Sequence, residues 1–164
     1  MRIGHGYDLH RLEPRPPRGN GRPFVLCGLV FDHDAGPIAH SDGDALMHAV
    51  TDAILGALGE PDIGQLFPDT DARNASADSS QFLVEAVARM RRRRHQIGNI
   101  DCTVICERPK IGPRRAEIAN RLASLLGCPP EAVNIKGKTH ERVDAVGEER
   151  AIEVHVVALL VPLT

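Results

Sequence analysis

A chain of 164 residues has the length of one ordinary domain, and we expect residues 1–164 to fold as a single domain. Hydrophobic residues make up 42% and charged residues 26% of the chain, a balance that is typical of globular proteins and argues against disorder. The formal net charge of -2 gives no electrostatic reason to expect nucleic acid or a membrane as a partner.

The four cysteines are expected to be free thiols. Cys27, Cys102, Cys106 and Cys128 lack the CxxC spacing of a zinc ribbon, and buried thiols in a reducing compartment fit the sequence better than a disulfide. Nothing at the N-terminus resembles a signal peptide, and no apolar run is long enough to span a bilayer. We therefore expect a cytoplasmic protein.

The first third of the chain predicts two strands and a helix. The run MRIGHGYDLHRL alternates as a strand does, and FVLCGLVF predicts a second strand that pairs with the first across a wide loop. From Ala45, apolar residues recur at helical spacing, with Ser41 or Asp42 as the expected N-cap. Gly59 and Pro61 are expected to end this helix.

The rest of the chain predicts a long loop, two helices and three strands. The polar loop PDIGQLFPDTDARNASADSS is followed by a helix that Asp78 or Ser79 can cap, and its basic end RMRRRRHQ indicates a solvated helix terminus rather than a phosphate-binding patch. The run IGNIDCTVIC predicts a strand. A third helix has Pro113 in its first turn and Gly127 as its C-cap. The runs AVNIKGK and AIEVHVVALLV predict the two closing strands.

This order of elements predicts an α+β fold, in which one mixed β-sheet has its helices packed on one face. The last strand is apolar on both of its faces, a pattern that also suits contact with another subunit.

A candidate metal site begins with the run YDLH. Asp8 and His10 are two residues apart, so both side chains leave the same face of the predicted strand. A lone DxH pair is common by chance, but His48 adds a third ligand from the first helix. One carboxylate and two imidazoles suit Zn²⁺ with one coordination position open for substrate.

The two histidines of HSDGDALMH have different expected roles. His48 shares a helix face with Asp44 and Asp52, which are its hydrogen-bond partners if it is a structural histidine and the residues that orient it if it binds metal. His40 precedes the helix cap, where no helical register applies. We expect it to contact substrate or the transition state rather than a metal.

Five segments of the chain resemble, in order, the 2-C-methyl-D-erythritol 2,4-cyclodiphosphate synthase family: GHGYDLHRL, AHSDGDALMHAVTDAILGALG, DIGQLFPDTD, DCTVICERPK and VNIKGKTHE. The resemblance covers essentially the whole chain. It implies an enzyme of the non-mevalonate isoprenoid pathway that cyclises 4-diphosphocytidyl-2-C-methyl-D-erythritol 2-phosphate and releases CMP. It also implies a homotrimer around a threefold axis, with active sites at the subunit interfaces that each hold Zn²⁺ and a second divalent ion, Mg²⁺ or Mn²⁺.

The resemblance also assigns roles to individual residues. Asp8, His10 and His48 match the zinc ligands, and Glu141 matches the acidic residue that holds the second ion. His40 and Thr139 match the pair that stabilises the transition state. The implied substrate contacts are Asp8, Leu9, His10, His40, Ser41, Asp62, Ile63, Gly64, Phe67, Pro68, Asp69, Thr70 and Asp71 on the methylerythritol side, and Cys106, Glu107, Arg108, Pro109, Lys110, Ile111, Gly112, Lys138, Thr139, His140 and Glu141 on the cytidine and diphosphate side.

Two rival functions remain open on the sequence. One is a metal-dependent phosphohydrolase, in which the same ions activate water. The other is a nucleotide-binding trimer with impaired catalysis, which departures from the family pattern support. The lysine that commonly follows FPDTD is replaced by Ala75, with Arg73 two residues earlier as an alternative cation.

A second departure lies in RVDAVGEERA, where the family commonly has KLGFTGRGEG. Ala145 replaces an aromatic residue, and Glu148 and Arg150 exchange the positions of an arginine and a glutamate. In the family this pair lines a trimer cavity that can hold an isoprenoid diphosphate. We expect Glu148 and Arg150 to form a reversed ion pair that weakens such binding; the alternative is a small backbone shift that leaves Arg150 in the usual arginine's role.

Overall fold

A mixed sheet of five strands forms the centre of the fold, and the computed structural model describes residues 1–68, 70–71 and 76–163. The strands of this described part are β1 (Arg2–Pro14), β2 (Val25–Leu26), β3 (Leu29–Val30), β4 (Ala35–Pro37), β5 (His95–Ile105), β6 (Val133–Lys138) and β7 (Ala151–Pro162). The sheet order is β4-β1-β7-β5-β6, in which only the β5–β6 pair is parallel. The predicted α+β class with one mixed sheet is confirmed.

The helices of the described residues are α1 (Ala45–Leu58), α2 (Ile63–Leu66), α3 (Ser80–Arg92), α4 (Arg115–Leu126) and α5 (Asp144–Gly147), and 3₁₀ turns span Gly112–Arg114 and Pro130–Ala132. The three predicted helices correspond to α1, α3 and α4. The short α2 lies inside the segment that was predicted as a loop, where Asp62 caps it by accepting a hydrogen bond from the Gln65 backbone N–H at 2.8 Å.

The run FVLCGLVF does not pair with the first strand as predicted, because it folds back on itself. Strands β2 and β3 form a separate two-stranded hairpin, in which Leu26 lies opposite Leu29. The two turn residues, Cys27 and Gly28, have φ of 53° and 71°, the left-handed values that a type I′ hairpin turn requires at both positions. The neighbours of β1 in the sheet are β4 and β7 instead.

Helix α1 begins at the predicted residue, but its cap is a different one. Neither Ser41 nor Asp42 caps it; Asp44 does, accepting a hydrogen bond from the Met47 backbone N–H at 3.0 Å. The second Asp44 oxygen accepts the Gly28 backbone N–H at 2.7 Å, so one carboxylate serves both the helix and the β2–β3 hairpin. Although these N–H groups favour the carboxylate, complete burial raises the pKa of Asp44 to about 6. The C-terminal end of α1 at Gly59, with φ of 69°, is as predicted.

The ends of α3 and α4 agree in part with those predicted from the sequence. Ser79 occupies the N-cap position of α3 without a capping side-chain hydrogen bond, and Asp78 accepts one from the Ser80 backbone N–H. Helix α4 continues directly from the 3₁₀ turn that contains Pro113. It ends at Gly127, with φ of 67°, as predicted.

The basic run at the end of α3 is engaged in ion pairs. Arg89 pairs with Glu85 at 2.8 Å and with Glu60 at 3.0 Å. Arg92 also pairs with Glu85, and Arg93 with Glu60. The run is therefore a charged helix terminus with local acidic partners, which agrees with the interpretation of the sequence.

The two faces of the sheet differ in what covers them. On one face, alternate residues of β7 such as Val154, Val156 and Ala158 are fully buried, and α1 packs over both β1 and β7. On the opposite face, Ile3, Tyr7, Leu9 and Val157 are exposed. A single chain thus leaves a row of apolar side chains on this outer face in contact with solvent.

All four cysteines are free, as predicted, and Cys27, Cys102 and Cys106 are buried. Burial raises the pKa of the Cys106 thiol to about 12, so this sulfur is a neutral thiol near pH 7.

Candidate metal centre and adjoining clefts

Two glycines of β1 bring helix α1 into direct contact with the strand. A Cβ atom at Gly4 would lie 1.9 Å from the Ala53 carbonyl oxygen, and one at Gly6 would lie 1.8 Å from the Ala49 carbonyl oxygen. No larger residue fits at either position without moving the helix. Because His48 directly precedes Ala49 in α1, this close approach carries its imidazole toward the next residues of β1.

The three predicted metal ligands converge at this contact. Asp8 and His10 share the helix-facing side of β1, and one ligand atom from each of Asp8, His10 and His48 lies within 4.8 Å of the others. The Asp8 Oδ2 atom lies 2.7 Å from His10 Nδ1 and 3.4 Å from His48 Nδ1. We call this group the metal triad.

Two atoms of the metal triad are buried without a hydrogen-bond partner. Asp8 Oδ2 lies within ion-pair distance of both imidazoles, but neither Asp8 Oδ2 nor His10 Nδ1 has a partner with hydrogen-bond geometry among the described residues. Unpaired polar atoms are costly to bury, and a cation between them removes that cost. The donor set of one carboxylate and two imidazoles therefore fits a divalent metal ion.

The hydrogen bonds around His48 fix which of its nitrogens can bind metal. Its Nε2 atom lies 2.8 Å from Ser79 Oγ and 3.2 Å from Ser41 Oγ. Ser79 donates its own hydroxyl proton to Asp42, so it accepts from the His48 Nε2–H. The lone pair of His48 is left on Nδ1, the nitrogen that faces Asp8.

The prediction that Asp44 or Asp52 is the hydrogen-bond partner of His48 is therefore wrong. Asp44 is used in capping α1, and Asp52 accepts the Ile63 backbone N–H at 2.8 Å. The carboxylates of Asp44 and Asp52 thus accept hydrogen bonds from backbone N–H groups at the starts of α1 and α2. The residue that orients His48 is Ser79, which follows it by 31 positions, and sequence spacing gave no signal for it.

Charge within the metal triad shifts the pKa values of two of its members. Burial opposes ionisation of Asp8, but the adjacent imidazoles of His10 and His48 outweigh it and hold the Asp8 pKa below its ordinary value. Burial also opposes protonation of His48, but Asp8 outweighs it and raises the His48 pKa. Without metal, the contact between Asp8 and His48 therefore favours the charged form of each group.

The metal triad lies in the wall of a cleft of about 570 Å³, which we call the first cleft. His40 lines this cleft but is not a member of the metal triad, so the two histidines of the HSDGDALMH run do take different places. Residues that the sequence did not indicate also line it, with Phe82 packed against Phe67 at 4.6 Å between ring centroids. The lining residues are Asp8, Leu9, His10, Arg11, Ile38, Ala39, His40, Ser41, His48, Ile63, Gly64, Phe67 and Phe82.

A second cleft, of about 480 Å³, lies where the parallel strands β5 and β6 end. It contains Thr139 and Glu141, so in one chain His40 and Thr139 line different clefts. The predicted pair is thus not brought together within a single chain. The lining residues are Cys106, Lys110, Ile111, Gly112, Pro113, Gly137, Lys138, Thr139 and Glu141.

Hydrogen bonds from Glu107 shape the loop that follows β6. Its Oε1 atom accepts the backbone N–H groups of His140 at 3.0 Å and Arg142 at 3.2 Å. His140 also contacts Asp144 at 2.9 Å. Glu107 and Arg108 line a neighbouring smaller pocket rather than the second cleft itself.

The remaining predicted residues belong to neither lining. They include Asp62, Pro68, Thr70, Asp71, Pro109 and His140. Asp69, together with the departures at Arg73 and Ala75, lies outside the described residues.

The predicted pair between Glu148 and Arg150 is present. Arg150 Nη2 lies 2.6 Å and Nε lies 2.8 Å from Glu148 Oε2. Both side chains are exposed between α5 and β7.

An α+β fold with a carboxylate and two imidazoles in the wall of a cleft defines a protein with a candidate metal site of nitrogen and oxygen ligands. A model of the YgbB family matches residues 1–161, and this chain belongs to that family.

Three similar proteins illustrate the family. The chain is 54% identical over 98% of its length to the chloroplastic 2-C-methyl-D-erythritol 2,4-cyclodiphosphate synthase of Arabidopsis thaliana, of which it covers 67%. It is 45% identical over 98% of its length to the synthase of that name from Dechloromonas aromatica, of which it covers 96%. Among solved structures, a CDP complex of IspF from Plasmodium falciparum superposes with a TM-score of 0.86 at 36% identity, over 99% of this chain and 97% of that one.

Within the described ranges, no helix combines the length and apolarity needed to cross a membrane. The cytoplasmic location stays a prediction, since the Arabidopsis relative is named as chloroplastic.

Proposed function

We propose that this protein cyclises 4-diphosphocytidyl-2-C-methyl-D-erythritol 2-phosphate to 2-C-methyl-D-erythritol 2,4-cyclodiphosphate and releases CMP, a lyase reaction of the non-mevalonate isoprenoid pathway. The observation that carries the proposal is the metal triad in the first cleft, in a chain that matches synthases of that name over 98% of its length.

The metal triad is proposed to hold one Zn²⁺ per chain. Its two buried atoms without hydrogen-bond partners, on Asp8 and His10, and the free lone pair of His48 Nδ1 support this role. We further propose that Glu141 in the second cleft holds Mg²⁺ or Mn²⁺ together with the substrate. Bound cations of this kind compensate the charge of the reacting phosphates.

The reaction requires alignment more than acid–base chemistry. An oxygen of the substrate's 2-phosphate forms a bond to the β-phosphorus, and the bond from that phosphorus to the CMP oxygen breaks, so CMP leaves with the bridging oxygen. The nucleophile is already an anion, and no thiolate or alkoxide from the protein is needed. The neutral thiol of Cys106 at the second cleft agrees with this requirement.

The protein's own groups are proposed to position and stabilise the phosphates. His40 from the first cleft and Thr139 from the second donate hydrogen bonds to the oxygens that gain charge in the transition state. Lys110 and Lys138 supply positive charge to the diphosphate in the second cleft. The remaining residues predicted on the methylerythritol side and on the cytidine side contact the two ends of the substrate, and the CDP complex of the Plasmodium falciparum neighbour supports a cytidine site.

Since His40 and Thr139 line different clefts, we propose that a complete site forms between two copies of the chain, within a homotrimer around a threefold axis. The first cleft of one subunit then faces the second cleft of its neighbour. The outer sheet face supports this assembly, because its exposed side chains Ile3, Tyr7, Leu9 and Val157 gain burial against another copy.

Phosphorus NMR of the protein with the cytidyl substrate, Zn²⁺ and Mg²⁺ tests the function. We expect resonances of the cyclic diphosphate and of CMP. Hydrolysed phosphate fragments would favour the metal-dependent phosphohydrolase. Absence of turnover together with retained CDP binding would favour the impaired nucleotide-binding trimer.

A further inference from the structure

The guanidinium of Arg22 binds the backbone that carries His40. Arg22 lies in the connection between β1 and β2, and its Nε donates to the Ala39 carbonyl at 3.0 Å. Its Nη2 donates to the His40 carbonyl at 3.4 Å and contacts Ser76 Oγ at 3.3 Å. One side chain thus joins the His40 segment to the end of the loop that precedes α3.

The backbone of Arg22 is itself fixed against β4. Its N–H donates to the Pro37 carbonyl at 3.0 Å, and its own carbonyl oxygen would lie only 1.7 Å from a Cβ atom at Gly36. This close packing leaves the start of the Arg22 side chain little freedom. The guanidinium therefore reaches its acceptors from a rigid base.

The segment that Arg22 holds has no regular secondary structure of its own. Strand β4 ends at Pro37 and α1 begins at Ala45, so His40 lies in the connection between them. The His40 carbonyl also accepts the Ser76 backbone N–H at 2.8 Å. Hydrogen bonds from Arg22 and Ser76 thus set the position of His40 at the edge of the first cleft.

We infer that Arg22 is a positioning residue, which acts by fixing the backbone of His40 so that its imidazole enters the first cleft in one orientation. The inference rests on the proposed function, in which His40 contacts the reacting phosphates. A small displacement of a group that must align with a reacting phosphate costs roughly a hundredfold in rate. The guanidinium is suited to the task because its planar fork reaches several acceptors at once, which a lysine ammonium does not.

A matched pair of variants tests the inference. Arg22→Met keeps the aliphatic stem and removes the guanidinium. Arg18→Met, in the same connection, removes a guanidinium that pairs with the exposed Asp34 at 3.4 Å. We expect Arg22→Met to lower kcat roughly tenfold to a hundredfold with little change in KM, and Arg22→Lys to recover part of the loss. Zinc content should stay unchanged, and Arg18→Met should match the unaltered protein.

The decisive step combines Arg22→Met with His40→Ala. If Arg22 acts through His40, the double variant is no slower than His40→Ala alone. A further loss in the double variant, or a kcat of Arg22→Met equal to that of Arg18→Met, would overturn the inference.

A second measurement does not depend on turnover. The NMR resonances of the His40 imidazole should shift or broaden in Arg22→Met and stay unchanged in Arg18→Met. Unchanged His40 resonances in both variants would contradict the positioning role, even if the protein catalyses another reaction. Failure of the cyclisation itself would instead appear as absence of the cyclic product from the unaltered protein.

Discussion

The first and second clefts place their polar groups by different means. In the first cleft, the metal triad lies on β1 and α1. The backbone of α1 packs against Gly6 of β1, in the space that a side chain would otherwise fill. In the second, the loop after β6 has left-handed φ values of 52° at Glu141 and 65° at Arg142, and hydrogen bonds to Glu107 hold it. Regular elements therefore fix the metal triad, whereas a strained turn fixes the second cleft.

Exposure separates the two clefts in the same way. The side chains of His10 and His48 are 11% and 12% exposed, whereas Glu141 lies on the surface. Removing a ligand from the metal triad leaves buried polar atoms without a partner, but removing Glu141 leaves an exposed position for water to fill. We expect changes in the first cleft to act on metal content and stability, and changes in the second cleft to act on turnover.

The largest expected effect is loss of zinc from a ligand variant. The purified protein should carry close to one zinc per chain. Changing His48 to Ala should weaken zinc binding on the order of a thousandfold. Structural zinc sites have binding free energies of about 10 kcal/mol or more, and the loss of one ligand removes a large share of that energy. Elemental analysis after dialysis measures the zinc content, and circular dichroism should show the fold retained. Full zinc content in His48→Ala would contradict the assignment of the metal triad.

A substitution at the contact between β1 and α1 should have the next largest effect, on both stability and zinc binding. Gly6→Ala places a methyl group 1.8 Å from the Ala49 carbonyl oxygen, so the helix must move away. We expect a loss of about 3 kcal/mol in the free energy of unfolding of metal-free protein in urea, together with weakened zinc binding. Gly56→Ala is the control, because its Cβ meets only the His5 carbonyl oxygen at 3.7 Å on an exposed helix position. It should be neutral or stabilising by up to about 1 kcal/mol.

A substitution in the second cleft should change the turnover rate and leave the zinc content unchanged. Glu141→Gln should lower kcat by on the order of a hundredfold at saturating substrate, because a charge interaction in the transition state is lost. Zinc content should remain at the level of the unaltered protein. Steady-state kinetics across Mg²⁺ concentrations measure the effect, and unchanged turnover at saturating Mg²⁺ would count against the role of Glu141.

The smallest expected effect is the pH dependence of zinc affinity. Zinc needs the neutral imidazole of His48, whose pKa is raised above its ordinary value by Asp8. Affinity should therefore be full well above that raised pKa and fall about tenfold per pH unit below it. The stability of the metal-free protein has the opposite pH dependence. The pairing of protonated His48 with Asp8 stabilises the fold below the pKa of His48 in the unfolded chain, and this stabilisation is lost as the pH rises through the raised pKa of His48 in the folded protein. Competition with a chelator between pH 5.5 and 8 checks the first statement, and a flat profile would contradict it.

The difference between the clefts also explains what the sequence could predict. Asp8 and His10 follow from the two-residue period of a strand, and α1 follows from helical spacing, so the ligands of the metal triad could be found. The partner of His48 could not be found, because Ser79 reaches it from another helix. The sequence does not single out Asp44 as the cap of α1, because its second hydrogen bond, from Gly28, lies in a hairpin where the apolar run predicts one strand.

The second cleft and the contacts of Arg22 depend on long-range geometry. The turn at Glu141 and Arg142 has no periodic pattern, and only the family resemblance indicates a role for Glu141. Arg22 lies in a Pro/Gly-rich connection where composition indicates a loop and nothing more. Its link to His40 appears only once β4 and Ser76 are packed beside it.

The central claim is that each complete site takes its first cleft from one subunit and its second cleft from a neighbour. Co-expression of His48→Ala and Glu141→Ala chains, each nearly inactive alone, tests it directly when all trimers are purified together, mixed and unmixed. In an equal random mixture, about one site in four combines an intact first cleft with an intact second cleft, so we predict about a quarter of the activity of the unaltered protein. Activity no higher than the sum of the two variants measured separately would contradict the claim.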